Sequence, residues 1–71
     1  MKHFEIVIEY FDCMSETSGI AVRRVTGTLG EAVVHAKKLV KGFERGSKVV
    51  DAARVELVST ENVVWTLGES P

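Results

Sequence analysis

Seventy-one residues make one domain, near the lower size at which a core without disulfides or metal still forms. The chain is 45% hydrophobic with a net charge of −1, too apolar for disorder, and its one cysteine excludes an internal disulfide and a cysteine-based zinc cluster. No apolar run approaches the ~18 residues of a membrane span, so no membrane partner is expected. The start carries charge inside its first apolar stretch and no small-residue cleavage site, unlike a signal peptide, and the expected location is a reducing cytoplasm.

The small net charge hides a pattern. Residues 1–19 hold one lysine against four acids, residues 20–54 hold eight basic against three acidic groups, and residues 55–71 hold three acids. Such segregation bears on partner choice wherever the fold keeps it in space.

Residues 4–11 alternate and are rich in β-branched and aromatic types. Phe4, Ile6, Ile8 and Tyr10 point one way, and Glu5, Val7, Glu9 and Phe11 the other. This is the most apolar strand, so a central place is expected for it. Residues 12–19 are polar and read as a loop containing Cys13 and Met14. Residues 20–26 form the second strand, with Ile20 and Val22 expected inward. At Arg23-Arg24 the pattern falters: either Arg24 faces the core side near an edge, or a bulge turns Val25 inward.

Residues 28–43 organise the chain. Thr28-Leu29-Gly30-Glu31 has capping-box spacing, in which the Thr28 hydroxyl accepts from the Glu31 N–H and the Glu31 carboxylate accepts from the Thr28 N–H. Leu29, Ala32, Val33, Ala36, Leu39, Val40 and Phe43 then share one helical stripe, with Val34, Lys37, Lys38 and Lys41 opposite. Gly46 suits the C′ position, where a left-handed conformation is cheap for glycine. A helix of about four turns is not stable alone and needs an apolar surface to cover.

Residues 47–52 read as a connection in which Val49 or Val50 tucks under the helix end. Residues 53–59 are the third strand, with Ala53, Val55 and Leu57 inward and Arg54, Glu56 and Val58 outward. After a turn at Thr60-Glu61, residues 63–67 are the fourth strand, with Val63, Trp65 and Leu67 on one face. Residues 1–67 thus form the domain and residues 68–71 a frayed tail.

The element order β-β-α-β-β predicts an α+β two-layer sandwich, with one amphipathic helix on one face of a four-stranded, mainly antiparallel sheet. Placing the first strand between the second and third makes every neighbour antiparallel, in the order 2-1-3-4.

One helix covers one side. The other side is expected to expose Val7, Phe11, Arg23, Arg54, Val58 and Val64, together with Glu5, Glu9 and Glu56. Acids and arginines on neighbouring strands can pair across it. The apolar members are too many for a face meant only for water, which points to docking of a protein partner or to a homodimer through this face or an edge strand. The alternative is scattered surface valines that satisfy β-propensity.

A second candidate surface is basic. Lys37, Lys38 and Lys41 on the outer helix face, followed by Arg45 and Lys48, could read phosphates as a weak nucleic-acid binder. No aromatic residue interleaves with them to stack bases, and lysines near a helix C-terminus also complement its dipole.

Catalytic constellations are missing from the pattern. His3 and His35 have no Cys or Asp at ligand spacing, and Cys13 sits beside Asp12, which opposes thiolate formation. Gly27-Thr28-Leu29-Gly30 lacks the glycine spacing of a phosphate-binding turn and is better explained by capping. No enzyme, cofactor or metal is expected. The size and outline resemble small phage- and prophage-encoded accessory proteins, including inhibitors that occupy a host partner. That resemblance is architectural, covers no motif, and implies a binding protein.

Overall fold

A computed structural model describes residues 2–67. The expected tail, 68–71, lies outside the described residues. Four strands and one helix follow in the order β1 (Lys2–Asp12), β2 (Thr17–Gly27), α1 (Leu29–Glu44), β3 (Lys48–Leu57) and β4 (Asn62–Thr66). The sheet order is β2-β1-β3-β4 and every neighbouring pair is antiparallel. The molecule is an α+β two-layer sandwich, as the element order predicts.

β1 is central because it can be buried from both sides. Phe4, Ile6 and Ile8 are buried beneath the helix, and Val7 is buried on the reverse. The core joins that β1 row to Ala32, Ala36 and Val40 of α1 and to Ala53 and Val55 of β3. Small residues at Ala32 and Ala36 bring the helix backbone close to the sheet. The helix lies mainly over β3, with fewer approaches to β1 and β2.

α1 starts as its sequence dictates. The Glu31 N–H donates to Thr28 Oγ1 at 3.2 Å, and the Glu31 carboxylate accepts from the Thr28 N–H at 3.2 Å and from its hydroxyl at 3.1 Å. The capping box is complete, and the anionic Glu31 also faces the positive end of the helix dipole. The C-terminal end differs from expectation. Gly46 donates its N–H to Phe43 O at 3.2 Å, and the only glycine with positive φ among the described residues is Gly27. A tight three-residue closure therefore ends the helix, with no left-handed glycine.

The first hairpin is tighter and its strands longer than residues 12–19 suggest as a loop. Asp12 pairs with Thr17 and only residues 13–16 turn, with Glu16 at φ 56. That turn length sets the parity of β2 against expectation. Ala21, Arg23 and Val25 fall on the helix side, opposite Ile8, Ile6 and Phe4. Ile20 and Val22 fall on the reverse side. Val25 does turn inward, but through a continuous register with no bulge between β1 and β2. Tyr10 shows why this parity suits the fold. Its ring lies over Gly19, where an added Cβ would come within 2.7 Å of the phenol oxygen. A side chain as large as Ile20 has no room there.

β3 begins at Lys48, within the stretch that reads as a connection. A register shift opposite Glu9/Tyr10 leaves Asp51 unpaired, so Val50 packs against the core and Val49 faces the reverse side. β4 carries a second shift. Trp65 pairs with Val55 and Val63 with Glu56, so Val64 is the extra residue. Val64 and Trp65 both pack against the core, while Val63 is exposed. This reverses the expected positions of Val63 and Val64.

Candidate partner-binding surface

The uncovered face is built from residues that alternate with the core rows. Across β2, β1 and β3 the directly opposed sets are Arg24, Glu5 and Glu56; then Val22, Val7 and Arg54; then Ile20, Glu9 and Ala52; then Ser18, Phe11 and Val49. Charge dominates one end and apolar groups the other.

At the charged end the acids and arginines pair both across strands and along β3. Arg24 Nε donates to Glu5 at 3.1 Å. Arg54 donates to Glu56 at 2.6 Å through Nε and to Glu9 at 3.2 Å through an Nη. Its pKa is raised, first by the hydrogen bond to Glu56 and further by the Glu9 charge. The charge that is segregated along the chain is thus interleaved on this face. Val7 lies between Val22 and Arg54 and is only 5% exposed. Long charged side chains cover apolar floor with their methylene stems, and Arg54, tethered at two carboxylates, is placed to do so.

At the other end the side chains are more open to water. Phe11 is 37% exposed, Ile20 63%, Val22 51% and Val49 50%. Phe11 opposes Val49, Ile20 lies diagonal to Phe11 and next to Val22 on the same face of β2, and the exposed Met14 follows in the turn. Asp12 holds this end together. Its carboxylate accepts from the Met14 N–H at 3.0 Å and from the Ser47 hydroxyl at 3.1 Å, while the Cys13 N–H donates to Ser47 O at 2.8 Å. The Met14 and Ser47 hydrogen bonds lower its pKa. The first hairpin is thereby tied to the connection between α1 and β3.

The six residues expected on this face separate. Phe11 and Arg54 lie on it, and Val58, half-buried, lines a hollow there with Glu5, Arg24 and Glu56. Val7 belongs to it as a buried floor and offers little contact area. Arg23 is on the helix side because the parity of β2 is inverted, and Val64 is in the core because of the β4 bulge. Ile20, Val22, Val49 and Val63, which pairs with Glu56, are the exposed apolar residues of this face that strand alternation alone misses. The clue for the first two is Gly19, since a glycine opposite an aromatic marks the side the ring leans toward.

The basic residues also divide. Lys37, Lys41 and Arg45 are exposed and recur every four residues, which aligns them in one row, with Lys38 beside it. Lys48 does not join them. Its ammonium sits 5.7 Å from the Tyr10 ring and 5.8 Å from the Phe43 ring, which meet edge-to-face at 5.2 Å. Cation–π contact assigns Lys48 to the core rim.

His3 bonds the Thr26 hydroxyl at 3.0 Å, and Cys13 is exposed in the turn. Among the described residues no three His, Cys, Asp or Glu gather in a way that could hold a metal ion. Among the same residues no helix is long and apolar enough to cross a membrane. Compared with known proteins, the chain finds no significant match among family models, curated proteins or solved structures.

Proposed function

We propose that the chain is a non-enzymatic protein-interaction module whose working surface is the apolar end of the uncovered sheet face. The observation that carries this is the adjoining exposed set Phe11, Ile20, Val22 and Val49 on the layer the helix does not cover. Contiguous apolar groups rimmed by charge favour a protein partner over water or nucleic acid. The paired Glu5, Arg24, Glu9, Arg54 and Glu56 supply that rim and a fixed pattern for orientation. An inhibitor that occupies a host partner is one form of the same reading.

The test compares the wild type with a Phe11→Glu/Val49→Glu double variant in co-purification from the native source. Both positions lie outside the core, so the variant is expected to fold, and a cooperative melting transition checks this. Loss of the same co-purifying bands supports the proposal. Equal recovery by a folded variant overturns it.

A second reading rests on the row Lys37, Lys41 and Arg45, which is free to meet phosphates. Salt-sensitive retention on DNA or RNA, abolished by Lys37→Glu/Lys41→Glu, would establish it. No retention at low salt removes it.

A further inference from the structure

The two outer edges of the sheet are unlike. β4 spans five residues and contains a register shift, features that blunt an edge. β2 runs eleven residues against β1 in unbroken register and pairs on its other side with no strand among the described residues. A strand of that length offers a row of free N–H and C=O groups about 35 Å long. We propose that β2 pairs antiparallel with β2 of a second copy about a two-fold axis through Ala21, giving one eight-stranded sheet.

The register follows from side-chain chemistry. Directly opposed residues of antiparallel strands share a face, so the axis must pass through a residue. An axis at Arg23 or Arg24 sets a guanidinium against its own copy, which is repulsive. An axis at Val22 sets each Arg24 against Ile20. An axis at Ile20 leaves Val22 facing Ser18. At Ala21, Ile20 faces Val22 twice, Arg23 faces Gly19, and Arg24 faces Ser18. The two Arg23 Cα atoms lie about 14 Å apart, beyond the ~8 Å screening length at physiological salt. Arg24 is already drawn toward Glu5 of its own chain.

This axis is perpendicular to the sheet, so both uncovered faces lie on one side. The Ile20 and Val22 side chains of the two copies then join into one strip. The pairing itself uses the edge and does not depend on the face reading above.

The experiment is cysteine cross-linking in a Cys13→Ser background. At the axis, Ala21→Cys opposes itself at a Cα separation of about 4.5–5.5 Å, inside the range a disulfide spans, whereas Arg23→Cys does not. Under mild oxidation the expected result is predominantly disulfide dimer for Ala21→Cys and monomer for Arg23→Cys. Should Ala21→Cys disturb folding, an Ile20→Cys and Val22→Cys mixture serves, since both sites are exposed. The mixture should cross-link more than either variant alone. The unmodified chain should show a doubled mass in sedimentation equilibrium at several hundred micromolar. Monomer throughout, or equal cross-linking at Ala21 and Arg23, overturns the proposal. The Phe11→Glu/Val49→Glu variant should keep the Ala21 cross-link, which separates failure of the edge from failure of the face.

Discussion

The two faces of the sheet share strands but follow different rules. Beneath the helix, Ile6, Ile8 and Val55 are fully buried, and no buried polar or charged residue interrupts them among the described residues. On the reverse, one position away along the same strands, Glu5, Glu9, Arg54 and Glu56 form an ion-paired lattice that gives way to bare Phe11, Ile20, Val22 and Val49. The covered face supplies hydrophobic stabilisation, and the open face carries the charge pattern and is the proposed place to dock. Substitutions that cost stability should therefore cluster on the first, and substitutions that cost binding on the second.

The largest expected effect tests the covered face. Ile6→Ala leaves a cavity at the centre of the core and should cost about 2–5 kcal/mol in urea unfolding, enough to unfold a domain this small. Next is the buried residue of the open face. Val7→Ala removes two methyl-sized groups and should cost about 1–2 kcal/mol; a cost equal to that of Ile6→Ala would mean the two faces are equally structural. Replacing Arg54 with Met should cost under about 1 kcal/mol by thermal melting, because its ion pairs are partly exposed to water. Phe11→Ser should cost less stability than Ile6→Ala while weakening partner capture, and a loss as large as that of Ile6→Ala would place Phe11 with the core.

The last test is in acid. Asp12 has a lowered pKa in the folded state, so its ionised form contributes stability that is complete above the ordinary aspartate value of 3.8 and is lost as pH falls toward the folded value. Asp12→Asn should flatten the melting-temperature profile in that window and leave the slope at neutral pH unchanged.

Much of the layered fold was legible before any coordinates. The capping box of Thr28 and Glu31, the helical stripe and the alternation in β1 are local signals, and each reports directly on backbone geometry. The proposed working surface was legible only in part. Phe11 and Arg54 follow from β1 and β3 alternation. Ile20 and Val22 look like core residues by hydrophobicity, and a four-residue turn together with the space under Tyr10 places them outside. Val63 and Val64 exchange roles because a single extra residue in β4 is invisible to a period-two pattern.

By itself, the sequence determined the order of strands and helix, though not the full length of β2 and β3, where the helix starts, and that one side of the sheet would go uncovered. Tertiary structure alone decided which side chains that side displays. Strand parity depends on turn length, on bulges and on the room beside a neighbouring ring. Those are relations between segments, and no segment carries them alone.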